Sequence, residues 1–197
     1  MRRCLLCLPF LAMAAFSSAN LFLINSPATY LFANGETPFF DIPVDLNANG
    51  FFAGQTVLLS RAGSYNETGG PTPTAFGLSA VFSSNNVLLP STFLNRIPGA
   101  IAAGPGWTSP NTLIGNLSTD IAQDFHVDNM TGTANGITLV IPTGALWIFA
   151  SAEDNFFSDN NNTPEFYLSI QHVVPEPATF AVLGLGALLV RRKRRVR

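Results

Sequence analysis

Between Glu153 and Phe166 the chain reads Glu-Asp-Asn-Phe-Phe-Ser-Asp-Asn-Asn-Asn-Thr-Pro-Glu-Phe. Carboxylate, amide and hydroxyl oxygens dominate this stretch, and apolar runs bound it on both sides. Calcium takes about six to eight oxygen ligands from such groups and from backbone carbonyls, so a loop of this content can wrap a hard cation. A polar hairpin loop has the same composition, because Asp and Asn favour local hydrogen bonds and left-handed conformations. Two further stretches hold ligand-type residues. Asp124-Phe125-His126-Val127-Asp128 would set two carboxylates and an imidazole on one face of an extended strand, which suits a transition metal or a solvated face. Asp45-Leu46-Asn47-Ala48-Asn49-Gly50 imitates the first half of an EF-hand loop, but Thr56 stands where that loop needs its closing Glu, so a turn is expected.

Signatures of catalysis are missing. The chain has no Gly-x-Ser-x-Gly elbow, no His-Glu-x-x-His and no phosphate-cradling loop. Its two cysteines, Cys4 and Cys7, lie at the extreme N-terminus, and no lysine falls between residues 20 and 190. Carboxylate pairs for glycoside hydrolysis could be drawn only from Asp120, Asp124, Asp128 or Glu153. The residues favour a non-enzymatic protein.

The elements that must position these groups are strands. Short runs rich in Val, Ile, Leu and Phe alternate with Gly, Pro, Asn, Ser and Thr clusters: Thr56–Ser60, Gly77–Phe82, Gly136–Ile141, Ala145–Ala152 and Glu165–Gln171. No stretch repeats apolar residues at helical spacing over three turns. This predicts an all-β domain, a single β-sandwich of jelly-roll type. In Leu146-Trp147-Ile148-Phe149 both faces are apolar, which predicts a central strand or one covered on both sides.

The two ends differ from this domain. Met1-Arg2-Arg3 is basic, Cys4 to Phe16 is apolar, and Ser17-Ser18-Ala19 supplies small residues, the pattern of a secretory signal peptide cut after Ala19. Thirteen apolar residues are too few for the roughly 20 that span a bilayer. At the other end Val174-Pro175-Glu176-Pro177 refuses a helix. Ala178 to Val190 follows as an apolar run, with Phe180, Leu183, Gly184, Gly186 and Leu189 inside it, about 20 Å long as a helix. Arg191, Arg192, Lys193, Arg194 and Arg195 close it and hold that end on the cytoplasmic side. So short a span suits a temporary halt at the inner membrane.

With the ends set aside the charge changes. Between residues 20 and 190 the only cations are Arg61 and Arg96, against all 12 Asp and Glu, a net −10 hidden behind the whole-chain −2. Such a surface repels phosphate backbones and argues against a nucleic-acid partner.

The last 24 residues resemble the PEP-CTERM sorting signal, with Val174-Pro175-Glu176-Pro177 as motif, Gly184-Leu185-Gly186-Ala187 within the span and the arginine cluster after it. The resemblance implies handling by an exosortase, a membrane transpeptidase that cuts near the motif, and delivery to the cell surface, outer membrane or exopolysaccharide matrix. Within the domain, Phe52 to Tyr65 and Leu113-Ile114-Gly115-Asn116-Leu117 resemble segments of the soluble galactophilic bacterial lectins and related jelly-roll domains, and the 153–166 loop is similar to their calcium loop. The resemblance implies calcium ligands at Asp154, Ser158, Asn161 and Asn162, with the backbone carbonyl of Tyr65 completing the sphere. The family's sugar-contacting His and Gln have no counterpart, since residues 66–90 contain neither, and Pro164 replaces a glycine.

Three regions are therefore expected: a signal peptide at 1–19, a β-sandwich at 20–172 and a sorting segment at 173–197. The expected function is that of an exported, exosortase-sorted surface or matrix protein that binds carbohydrate through Ca2+. A ligand-free matrix protein and a glycoside hydrolase are the alternatives. Signal peptidase, exosortase and exopolysaccharide glycans are the expected partners.

Overall fold

Alternation builds the first sheet. In β5 (Thr56–Gly63) Val57, Leu59 and Arg61 are buried while Leu58, Ser60 and Ala62 face outward. β11 (Phe166–His172) pairs antiparallel with it along its whole length and sends Phe166, Leu168 and Ile170 to the same side. β1 (Asn20–Ile24) adds to the far edge of β11, and β9 (Ile137–Val140) to the far edge of β5. The order is β1-β11-β5-β9. In this computed structural model the described residues are 18–33, 35–68, 77–104, 119–128, 136–154, 156–162 and 165–173. The segments at 1–17 and 174–197 and the expected strand at Leu113–Leu117 lie outside them.

The second sheet centres on β10 (Trp147–Ala152) and β6 (Leu78–Ser83), paired antiparallel over six residues. β4 (Val44–Asp45) flanks β10, while β7 (Ala100–Ile101) and β8 (Phe125–Asp128) share the other edge of β6. Leu78, Ala80, Phe82, Phe125, Val127, Ile148, Ala150 and Ala152 face the first sheet and interleave with Val57, Leu59, Leu139, Phe166, Leu168 and Ile170. This is a β-sandwich, as the sequence predicts. Each such large side chain contributes about 1.5–3 kcal/mol by leaving water.

The outer face of the second sheet is covered too. Val81 and Phe149 pack there under Tyr30, Leu31, Ile97, Ile121 and Phe157. The cover is mostly irregular chain, apart from the short parallel pair β2 (Ala28–Thr29) and β3 (Phe39–Phe40). Buried Arg96 ties it down: Nε donates to Leu89 O at 2.8 Å and Nη1 to Thr29 O at 2.9 Å and Leu31 O at 2.6 Å. β10 is thus central in its sheet and covered on both sides, which explains why Leu146 to Phe149 reads as apolar on both faces.

β4 pairs with only Trp147 and Ile148 of β10. Beyond it the buried Asp41 carboxylate takes the N–H groups of Ala150 and Ile42. A short edge strand would otherwise leave the Ala150 donor buried and unpaired.

Candidate functional site

The strand ends place six of the acidic residues at one pole. β5 ends at Gly63, β8 at Asp128 and β10 at Ala152, while β11 begins at Phe166. Glu67, Glu153, Asp154, Asp159 and Glu165 follow or precede these ends in the sequence, and Asp128 is itself a strand end. Gly63 makes the closure possible. Its φ is +78°, and a Cβ there would lie 2.0 Å from Glu165 O.

Tyr65 is the keystone of the pole. It is fully buried, its hydroxyl donates to Glu153 O at 2.7 Å, and its ring meets Phe166 edge-on at 5.0 Å. Burial pushes this phenol well above its ordinary range, and the negative charges of Asp154 and Glu153 add to the effect. The next residue, Asn66, forms an antiparallel backbone bridge with Asn161, N–H to O at 3.2 and 3.0 Å. The 153–162 loop is thereby held against the chain that leaves β5.

Within the loop, Asp154 Oδ1 accepts from the N–H of Phe156 at 3.1 Å, a turn-forming contact. A 3-10 turn over Phe157–Asp159 follows, and the N–H groups of Phe157 and Ser158 donate to Glu36 Oε2 at 2.9 and 3.3 Å. The backbone then becomes extended, so side chains alternate in direction. Asn160 Nδ2 donates to Ser26 O at 3.1 Å, and Asn162 Oδ1 accepts from Ser26 N at 2.7 Å while its Nδ2 donates to Asn25 Oδ1 at 2.9 Å. Asn161, between them, belongs to the Asn66 side.

Of the five residues that the lectin resemblance implies, Asn161 is bridged to Asn66, the neighbour of Tyr65, and the charge of Asp154 acts on the Tyr65 phenol. Ser158 is tied toward Glu36, and the Asn162 amide is committed to Asn25 and Ser26. The donors on hand are carboxylate, amide and backbone oxygens, the chemistry of a hard-cation site. Asn160 Oδ1 and Ser26 Oγ are buried beside the loop with no hydrogen-bond partner among the described residues, and such atoms call for water or an ion. Among the described residues no three His, Cys, Asp or Glu side chains gather as a metal centre, so any cation here rests on amide and carbonyl oxygens around one carboxylate.

The Asp124–Asp128 strand departs from its expected geometry. A register shift between Leu78 and Ser79 bulges β8, and a bulge turns the residues beyond it. Asp128 therefore points between the sheets and takes Arg61 Nε at 2.8 Å. Only Asp124 and His126 stay on the outer face. His126 Nδ1 pairs with buried Glu153 Oε1 at 2.5 Å. Burial raises the Glu153 carboxyl above its ordinary range, and the hydrogen bond from His126 opposes this. Asp124 accepts from Thr119 Oγ1 at 2.8 Å and lies 3.5 Å from Tyr30 Oη, which donates to Ser79 Oγ at 2.9 Å. The His126–Glu153 pair joins residues 27 positions apart, and no motif in the sequence marks it. Asp45-to-Gly50 forms the expected turn, a 3-10 turn over Asn47–Asn49 closed by Gly50 at φ +84°.

Residues 173–195 match the model of the PEP-CTERM protein-sorting motif. The chain carries a PEP-CTERM sorting motif. It is accordingly an exosortase-sorted protein, exported and delivered to the cell surface. The segment that matches the PEP-CTERM motif begins at Val173, directly after β11. No curated protein and no solved structure matches the chain. Among the described residues no helix is long and apolar enough to cross a membrane. The apolar run at 178–190 lies outside them.

Proposed function

We propose that this exported domain is a non-enzymatic carbohydrate-binding module of the cell surface or exopolysaccharide matrix, with calcium held at its acidic pole. The observation that supports it is the way the Asn66–Asn161 bridge and the Tyr65–Glu153 hydrogen bond hold the loop that carries Asp154 and Asn161 against the chain leaving β5. Asp154 would supply the formal charge, and the Asn161 amide and the Tyr65 carbonyl would supply neutral oxygens. A calcium ion so held keeps coordination positions that sugar hydroxyls can take.

A glycan array run on the mature domain in calcium and again in chelator tests this. Binding that chelator abolishes, and that Asp154→Ala also abolishes, is the expected result. Binding that survives chelator removes calcium from the mechanism, and an empty array in calcium leaves the ligand-free matrix role in its place.

A further inference from the structure

Both termini leave the sandwich at the same end, opposite the acidic pole. Asn20, the first residue of β1, lies across from Ile170, two residues before the end of β11. Asn20 Nδ2 also reaches Asn49 O at 3.4 Å, and Val173 N donates to Thr56 O at 3.1 Å. Among residues 45–56, 139–147 and 170–173, which build this end, the single charged side chain is Asp45, across from Trp147, and its Oδ1 accepts from the N–H of Ala48 at 2.9 Å. Four large apolar side chains are exposed there: Phe52 at 49%, Val140 at 51%, Leu146 at 42% and Val173 at 39%. Phe52, Val140 and Val173 are close together. Val140 is the cross-strand partner of Thr56, which receives the Val173 N–H, and Gly54 in the turn after Phe52 donates to Ile141 O at 2.8 Å.

The chain beyond this end says what covers it. Five residues, Val173 to Pro177, separate β11 from the apolar run at Ala178, a tether of at most about 17 Å. β5 alone, with its eight residues, is about 26 Å long. While the sorting segment is held in the bilayer the tether keeps the Phe52 end nearest the lipid. The pole that carries Asp154, Asp159 and Glu165 would be repelled by anionic headgroups far more than an apolar end with one carboxylate, Asp45, engaged in a turn.

We propose that the end carrying Phe52, Val140 and Val173 is a lipid-docking surface, which seats the folded domain on the membrane before sorting and points the 153–162 loop away from it. The surface is used only while the tail is attached, so the same three side chains become solvent-facing once the tail is cut.

Residues 20–197 contain no cysteine, so single labels can be placed cleanly. Ala53→Cys and Asp159→Cys mark the two poles. Each tail-bearing chain, carrying an environment-sensitive fluorophore, is reconstituted into phosphatidylethanolamine–phosphatidylglycerol vesicles with or without spin-labelled lipid. Quenching at position 53 and none at 159 is expected. Adding Phe52→Asp and Val140→Asp, both at exposed positions, should remove the quenching at 53 while the tail still carries the chain into the vesicle fraction. Equal quenching at both poles, or quenching at 53 that survives the two aspartates, overturns the proposal. So does disulfide dimerisation of Ala53→Cys without vesicles, which would assign the surface to a second copy.

Discussion

Asn20 stands directly across from Ile170 in the register of β1 and β11. The strand nearest the expected signal-peptide cut and the strand that runs into the sorting segment are therefore neighbours, and their free ends point the same way. The expected signal peptide and the sorting segment thus join the sandwich at one end, and the 153–162 loop lies at the other. Intact mass of the surface-delivered protein should show residues 1–19 gone and the chain ending near Pro175-Glu176-Pro177; a full-length tail in that fraction would contradict sorting by cleavage.

Gly63 should be the least replaceable glycine at the acidic pole. A positive φ costs a non-glycine residue about 1–3 kcal/mol, and the Cβ would also run into Glu165 O. Gly50 has a similar φ, but nothing lies within 4 Å of its missing Cβ. Urea denaturation should place Gly63→Ala well below Gly50→Ala in stability. Equal losses would mean that the β5–β11 crossing is not as close as described.

Asp41 makes stability depend on pH. Burial lifts its carboxyl from 3.8 to about 7, against the pull of the Ile42 and Ala150 N–H groups and of Arg96. The fold thus favours the protonated acid. This contribution is full below about pH 4 and is lost as pH rises to about 7, by an amount on the order of 4 kcal/mol. Glu153, also raised by burial, acts in the same direction. Denaturation midpoints measured from pH 4 to 8 should fall less steeply for Asp41→Asn than for the parent domain; parallel curves would remove Asp41 as the cause.

Arg61 and Asp128 form a buried pair between the sheets, at 2.8 Å with side chains 6% and 0% exposed. Arg61→Ala leaves Asp128 charged and alone, which costs about 3–5 kcal/mol. Arg61→Met combined with Asp128→Leu should recover most of that loss. Simple additivity of the two single changes in a double-mutant cycle would show that the pair does not interact.

The strands were legible because their inward and outward residues alternate. Val57, Leu59 and Arg61 show the logic and its limit, since Arg61 holds an inward position that hydrophobicity alone would not assign. β1 went unmarked because Leu21-Phe22-Leu23-Ile24 is apolar throughout and follows another apolar run. The bulge that turns Asp128 inward, and the meeting of His126 with Glu153, depend on register between distant strands and leave no local pattern. Arg96 had one signal, being one of two cations among twelve acids, which is how a buried partner would look. Of the candidate cation site, the loop itself was visible from composition. The separation of Ser158 and Asn162 from Asp154 was not, because Glu36, Asn25 and Ser26 come from the other end of the chain.

Calcium binding at the loop is the claim on which the functional account turns, and isothermal titration of the mature domain measures it directly. A site with a single carboxylate in an exported module should bind weakly, with Kd on the order of 10⁻⁴–10⁻³ M. One saturable binding event in that range, lost in Asp154→Ala and retained in Asp45→Ala, is the predicted result. No binding heat in the parent domain, or binding unchanged by Asp154→Ala, would contradict it.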